Sequence, residues 1–140
     1  MILIDTNVVS ELMRAEPAQI VLDWFGRCDA ADLFISAVTE AELRTGVAIL
    51  PQGQRRDRLQ LAIDAMIDQD FQSRVLPFDS LAAKAYAEIA AQRRAAGRPI
   101  AEADCQIAAI ARATDAPIAA RNVKDFDDCG VRVINPWNAE

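Results

Sequence analysis

The stretch Met1-Ile2-Leu3-Ile4-Asp5 decides the fold, because an apolar run stops abruptly at a carboxylate. A run this short is too brief for a helix and is typical of a strand buried on both faces. Such strands occur in parallel sheets that helices cover on each side. Asp5 would then lie at the carboxyl end of the strand, the edge at which these sheets bind their ligands.

The rest of the chain repeats this alternation of short apolar strands and helical segments. Further strands are predicted at residues 33–35, 75–76, 118–120 and 131–134. Helices are predicted over about 7–14, 17–28, 36–50, 53–71, 79–96 and 102–114. We therefore expect one domain over residues 1–140, with a three-layer α/β/α architecture around a central, mostly parallel sheet of about five short strands.

Composition narrows the possible chemistry. The chain has 140 residues, a net charge of −6 and no histidine. The lack of histidine excludes Ser-His-Asp and Cys-His catalytic sites, histidine-rich zinc sites and histidine-based RNA cleavage. Any role with nucleic acid needs a local basic patch or metal ions, because the chain as a whole is acidic.

Cysteine usage and hydropathy indicate a cytoplasmic protein. Cys28, Cys105 and Cys129 are far apart and form no Cys-x-x-Cys pair, so reduced thiols are expected. The apolar run at the N-terminus is too short for a signal peptide. No apolar run reaches the length of about 18 residues that a membrane span requires, so no membrane association is expected.

Asp5 is the first candidate site residue. Thr6 and Asn7 follow it, and both can hydrogen-bond its carboxylate or a bound water. An aspartate at this position can also simply end the strand and cap the next helix. The residue alone does not separate these two interpretations.

Two further carboxylates lie in helical segments. Asp104 shares one face of its predicted helix with three apolar residues, Ile107, Ala108 and Ala111. A carboxylate is rarely buried on such a face unless it is paired or bound to a metal, although a first-turn aspartate can also interact with the helix dipole. Glu42 precedes Gly46 by one turn, which leaves room beside its side chain, but an ordinary surface glutamate has the same pattern.

The segment after the fourth predicted strand, residues 121–128, is rich in polar side chains. Asn122 or Asp125 could join a site there, whereas Asp127 and Asp128 resemble solvated loop charges. Two arginine clusters, Arg55-Arg56-Arg58 and Arg93-Arg94-Arg98, fit either solvated helix faces or a rim that contacts phosphate.

Converging carboxylates require positive charge between them. Two carboxylates about 4 Å apart repel by roughly 4 kcal/mol at an effective dielectric of about 20. A group of three or four therefore takes up protons or binds cations. Sites built only from oxygen ligands favour Mg²⁺ or Mn²⁺, which supply an activated water and positive charge at a scissile phosphate.

Four segments, in order along nearly the whole chain, resemble the motifs of PIN-domain ribonucleases. They are Ile2-Leu3-Ile4-Asp5-Thr6-Asn7, residues 36–46 with Glu42 at the acidic position, residues 103–109 with Asp104, and residues 120–126. Asn135-Pro136-Trp137 is similar to the tail of FitB-like members. Within the family, the pattern is most similar to the VapC toxins of bacterial toxin–antitoxin pairs, in the FitB-like branch.

The resemblance implies the toxin of a type II toxin–antitoxin pair, a Mg²⁺- or Mn²⁺-dependent endoribonuclease in which a metal-bound water attacks the RNA phosphodiester. The implied catalytic residues are Asp5, Glu42, Asp104 and Asp125, the first three as metal ligands, with Thr6, Asn7 and Asn122 as further cofactor-binding residues. Family members form dimers or dimers of dimers, and a small antitoxin inhibits them by placing its C-terminal segment in their groove. The expected partners are therefore an antitoxin, an RNA substrate, and operator DNA only through the antitoxin.

The fourth motif departs from the family pattern. Asn122 stands where the family has an aspartate just after the strand, Asp125 lies one turn further on, and Ala120 replaces a common hydroxyl residue. Asn122 adds no negative charge, so a second metal site would be weak. Whether Asn122 or Asp125 fills the fourth position is left open.

Two other functions have to be weighed. A haloacid-dehalogenase-like phosphatase also begins with a strand that ends in aspartate, but it needs a second aspartate where this chain has Asn7. A non-catalytic PIN-like scaffold could act only through an antitoxin or another protein partner. The presence of Asp5, Glu42 and Asp104 favours the enzyme over the scaffold.

Overall fold

The computed structural model describes residues 1–138. Within them lie five strands: β1 (Ile2–Ile4), β2 (Leu33–Ser36), β3 (Val75–Leu76), β4 (Ile118–Ala119) and β5 (Val133–Ile134). They form one sheet in the order β3-β2-β1-β4-β5, and every neighbouring pair is parallel. The sheet predicted from the short apolar runs is confirmed.

Helices connect the strands. The α-helices of the described residues are α1 (Thr6–Leu12), α2 (Gln19–Arg27), α3 (Ala37–Ala48), α4 (Gln54–Ala65), α5 (Ser80–Ala95) and α6 (Glu102–Ala113). A π-helical turn, Met66–Asp70, extends α4, and short 3-10 helices cover Ala30–Asp32 and Val123–Phe126. No helix among residues 1–138 is long and apolar enough to cross a membrane.

Alternating strand side chains build a core on each face of the sheet. Leu3 of β1 and Phe34 of β2 join the core under α5 and α6, whereas Ile4 and Ile35 join the core under α1 to α4. Leu3, Ile4 and Ile35 are completely buried, and each contributes about 1.5–3 kcal/mol of hydrophobic stabilisation. The result is the predicted three-layer α/β/α architecture.

Side chains at the helix starts explain most of the boundaries. The Ser36 hydroxyl accepts a hydrogen bond from the Thr39 amide at 3.0 Å, which confirms Ser36 as the N-cap of α3. The Asp79 carboxylate caps α5 in the same way. Helix α2 begins at Gln19 and not at the predicted Pro17. The reason is that the Ala18 amide donates to the Glu11 carboxylate at 2.9 Å, which keeps residues 17–18 in the connection from α1.

The order of the strands creates a crevice at one edge of the sheet. The chain passes from β1 to β2 and β3 on one side, and then returns to place β4 and β5 on the other side of β1. The crossovers therefore diverge at the carboxyl ends of β1 and β4, the position where open parallel sheets bind ligands. Helix α6 leads directly into β4, so its N-terminus lies at the same edge.

Candidate metal centre

Asp5 lies at the carboxyl end of β1. Its amide donates to the carbonyl of Ala119 at 2.9 Å, which continues the β1–β4 ladder by one residue. Its side chain is only 6 % exposed. Although Asp5 is the N-cap residue of α1, its side chain forms no capping hydrogen bond within the described residues. The carboxylate therefore has oxygen atoms available for another ligand.

Glu42 is connected to the end of β1 through a chain of hydroxyl groups. Thr6 Oγ1 donates to Glu42 Oε1 at 2.7 Å and lies 3.0 Å from Thr39 Oγ1. Ser36 Oγ lies 3.4 Å from Thr39 Oγ1 and donates to it. Because the Thr6 proton is committed to Glu42, the Thr39 hydroxyl has to donate to Thr6. All three hydroxyl protons thus point in one direction, toward the carboxylate.

Asp104 lies in the first turn of α6 and is half-buried. The residues that share its helix face are buried, as predicted: Ile107, Ala108 and Ala111. Burial raises the pKa of the Asp104 carboxyl, and the charges of Asp125 and Glu42 raise it further. Nearby Arg93 opposes this effect.

Asp125 and Asn122 lie after β4, but they face different neighbours. Asp125 belongs to the 3-10 helix Val123–Phe126, where it is exposed, and its charge acts on both Asp5 and Asp104. Asn122 precedes that helix and lines a pocket together with Asn7. The two residues that compete for the fourth position are thus both at the correct edge of the sheet.

The pKa of Asp5 indicates which carboxylates lie close enough to act on it. Burial raises the pKa of the Asp5 carboxyl from 3.8 to about 6. Repulsion from three other carboxylates adds to the rise, in the order Asp104, Glu42 and Asp125, and the Thr6 backbone amide opposes it. The charges of acids from the other three motifs therefore act on Asp5.

The carboxylates do not form a complete metal-binding site in the described structure. Among residues 1–138, no three acidic or cysteine side chains are positioned to hold a metal ion as they stand. Like charges favour this open arrangement, because carboxylates repel one another at short range. A bound divalent ion would offset this repulsion and allow the carboxylates to approach one another.

The residue types nevertheless fit a hard divalent cation. The site offers carboxylate, hydroxyl and amide oxygens, which suit Mg²⁺ or Mn²⁺ and not softer metals. Desolvation and repulsion disfavour the charged form of Asp5, and a divalent cation would relieve both effects.

Arginine side chains line a groove next to this acidic centre. Arg55 and Arg58 line a groove of about 800 Å³ that also contains Thr6 and Glu42. This supports a phosphate-contacting rim for the first arginine cluster. Arg93 of the second cluster matches neither proposed role, because it is buried and donates to backbone carbonyls of Arg98 and Asp127 at 2.8 and 2.9 Å.

The sequence alone does not reveal the positioning roles of the hydroxyl chain and of Arg93. The sequence indicates only part of the hydroxyl chain: it predicts Ser36 as a helix cap, and Thr39 is the residue whose amide donates to that cap. Arg93 carries no local signal, since its partners lie up to 36 residues away in the sequence.

Comparison with known proteins identifies the family. The model of the PIN domain matches residues 2–130. A plasmid stability protein StbB of Pseudomonas syringae pv. tomato is 46 % identical over 99 % of this chain and 100 % of its own length. The VapC ribonuclease Y4jK of Sinorhizobium fredii is 42 % identical over 98 % of both chains. The toxin FitB of Neisseria gonorrhoeae is 40 % identical over 99 % of both chains.

Solved structures agree with the sequence comparison. The crystal structure of FitAcB from Neisseria gonorrhoeae superposes with a TM-score of 0.93 at 40 % identity, covering 99 % of this chain and 100 % of the other. The structure of FitAB bound to an IR36 DNA fragment gives the same TM-score of 0.93 at 39 % identity, covering 100 % of this chain and 98 % of the other. Sequence and fold agree, and the chain belongs to the PIN-domain family.

Proposed function

We propose that this chain is the toxin of a toxin–antitoxin pair and acts as a metal-dependent endoribonuclease. The buried position of Asp5 at the carboxyl end of a parallel strand, with the charges of Asp104 and Glu42 raising its pKa, carries this proposal. The full-length similarity to a VapC ribonuclease and to the toxin FitB supports the activity and the biological role.

Each part of the site has a defined task in this proposal. Asp5, Glu42 and Asp104 hold the divalent cation, Mg²⁺ or Mn²⁺, and Asp125 adds negative charge from the loop after β4. When bound, such a cation lowers the pKa of a water molecule and offsets the charge of a scissile phosphate. Thr6 orients Glu42 through its 2.7 Å hydrogen bond. Arg55 and Arg58 attract the RNA backbone to the neighbouring groove.

A groove that adjoins the arginine-lined one, sharing Met13, Leu59 and Ala62 with it, offers a surface for the antitoxin. An apolar groove of about 520 Å³ lies between α1, α2 and the end of α4. Its lining includes Leu12, Phe25, Leu59 and Phe71. A groove of this kind accepts the apolar face of an amphipathic segment. We therefore propose an antitoxin as the direct partner, with operator DNA bound through the antitoxin, and the structure of FitAB bound to an IR36 DNA fragment supports DNA binding by such a pair. A homodimer or dimer of dimers stays a prediction.

Substitution of Asp5 tests the nuclease. Asp5→Asn keeps the shape of the side chain and removes its charge, so the variant should fold, lose RNA cleavage and cease to inhibit growth. Asp68→Asn is the matched control, because Asp68 is an exposed aspartate in the π-helical turn. Cleavage by the natural chain should stop in EDTA and return with Mg²⁺ or Mn²⁺. Full toxicity of Asp5→Asn would favour the non-catalytic scaffold, and EDTA-resistant cleavage would exclude the metal mechanism.

A further inference from the structure

A small basic pocket opens beside the acidic centre, and the assignments above leave it without a role. It has a volume of about 480 Å³ and is lined by Asn7, Ser10, Glu11, Arg14, Arg121 and Asn122. Two arginines face one glutamate there, in a chain whose net charge is −6. Asn7 is two residues from Asp5 in the sequence, and Asn122 is three residues from Asp125. Asn7 lies in the first turn of α1, which Asp5 precedes, and Asn122 directly precedes the 3-10 helix that contains Asp125, so the pocket adjoins the elements that carry these two acids.

The C-terminal segment holds Arg121 in place. The Arg121 guanidinium carbon lies 4.8 Å from the centroid of the Trp137 ring. The side-chain amide of Asn135 donates to the Arg121 carbonyl at 3.3 Å, and its oxygen accepts from the Trp137 amide at 2.9 Å. Asn135 and Trp137 thus fix both the backbone and the guanidinium of Arg121, which gives the C-terminal segment a structural role.

The charges in the pocket leave Arg121 able to attract an anion. Glu11 is compensated locally, because it pairs with Arg14 at 3.2 Å and accepts from the Ala18 amide at 2.9 Å. Within residues 1–138, Arg121 takes part in no ion pair. Stacking on an aromatic ring occupies a face of the guanidinium and leaves its N–H edge free to donate, the geometry that suits a phosphate.

We propose that Arg121 binds a backbone phosphate of the RNA next to the cleavage site, and that Trp137 is the positioning residue for this contact. The inference rests on the proposed ribonuclease function and adds a substrate contact to it. Because a phosphate carries no base identity, Arg121 contributes to affinity and to the register of the strand, and it does not read the sequence.

Binding measurements separate this contact from catalysis. The probe is a short, fluorescently labelled single-stranded RNA of mixed sequence, bound to the full chain with Asp5→Asn so that it is not cut. In this background, Arg121→Gln should weaken binding about tenfold, as expected for a hydrogen bond to a charged group. The slope of log K against log salt should also fall by about 0.7, the value for one phosphate contact on a single strand. Arg132→Gln is the control, since Arg132 is exposed and its carbonyl accepts from the Ile118 amide at the amino end of β4, away from the acidic site.

Kinetics and a double variant complete the test. In the active chain, Arg121→Gln should raise KM about tenfold and leave kcat nearly unchanged, as expected for uniform binding. Trp137→Leu should weaken RNA binding about two- to fivefold, which corresponds to a cation–π contact. Adding it to Arg121→Gln should cause no further loss, because both changes remove the same interaction.

The outcomes distinguish this inference from the proposed function. If the natural chain cuts RNA but Arg121→Gln leaves KM and the salt slope unchanged, the phosphate contact is wrong and the nuclease stands. If Arg121→Gln changes only inhibition by the antitoxin, Arg121 belongs to a protein interface and the inference is again overturned. If the natural chain neither binds nor cuts RNA, the proposed function itself fails.

Discussion

Thr6 Oγ1 donates a 2.7 Å hydrogen bond to Oε1 of Glu42, which joins the first residue of α1 to the second turn of α3 across the acidic site. The bond is the last in a series that starts at Ser36, the N-cap of α3, and passes through the buried hydroxyl of Thr39. Each hydroxyl has one proton to donate, and each lies within reach of the next oxygen. A fixed series of donors holds the carboxylate more firmly than a single bond, because hydrogen-bonded chains polarise one another.

Removal of the Thr6 hydroxyl should therefore weaken the metal site. Thr6→Val preserves the shape of the side chain, and it should reduce Mn²⁺ affinity about ten- to hundredfold, as is usual when a ligand loses its supporting hydrogen bond. Unfolding free energy should fall by about 1 kcal/mol. Thr6→Ser keeps the hydroxyl and is the matched control. Calorimetric titration with Mn²⁺ measures the affinity, and equal affinities for the valine and serine variants would show that Glu42 needs no such support.

The raised pKa of Asp5 predicts an unusual pH dependence of stability without divalent cations. The folded pKa of about 6 lies above the ordinary value of 3.8, so the native state binds this proton more tightly than the unfolded chain. The stabilising contribution of Asp5 is then complete below about pH 4 and is lost as the pH rises through about 6, amounting to about 3 kcal/mol. The raised pKa of Asp104 acts in the same direction.

The contribution of Asp5 can be isolated with Asp5→Asn. The natural chain should lose stability relative to this variant as the pH rises from about 4 to about 7, because only the natural chain has to ionise Asp5. Denaturant unfolding in EDTA measures that difference. Saturating Mg²⁺ should stabilise the natural chain at neutral pH and leave the variant nearly unaffected. A difference that does not depend on pH would mean that Asp5 is ionised without cost in the apo protein.

Whether a site residue can be predicted from the sequence depends on how far away in the sequence its partners lie. Asp5 and Asp104 could be recognised because a carboxylate at the end of an apolar strand, or on an apolar helix face, contradicts its local pattern. Glu42 could not be recognised from its helix alone: it is exposed, and Ile49, two turns further along, is 78 % exposed, so this face shows no apolar pattern. Its place in the site depends on Thr6, which is 36 residues away. Local sequence patterns thus identify carboxylates that lie in apolar surroundings. Residues that join the site through long-range contacts, such as Glu42, are brought there by the fold and leave no local signal.

The sequence gives no indication of the buried role of Arg93, and replacing this residue should destabilise the fold. Its guanidinium is buried and donates to the carbonyls of Arg98, Asp125 and Asp127. Arg93→Met keeps the apolar stem but leaves these carbonyls without their donor, so it should lower the unfolding free energy by about 3 kcal/mol. Its neighbour Arg94 is exposed, and Arg94→Met should change stability by no more than about 0.5 kcal/mol. Similar denaturation midpoints for the two variants would refute the structural role of Arg93.

The same loop decides which residue fills the fourth position of the site. Asp125 acts electrostatically on Asp5 and Asp104, whereas Asp127 lies 3.8 Å from the guanidinium of Arg98, which partly compensates its charge. Asp125→Asn should therefore weaken Mn²⁺ binding about fivefold, the effect of removing one charge at intermediate range from a divalent ion. Asp127→Asn is the matched control and should have little effect. Equal effects of the two substitutions would remove Asp125 from the site. A larger loss with Asn122→Ala than with Asp125→Asn would assign the fourth position to the amide that follows β4.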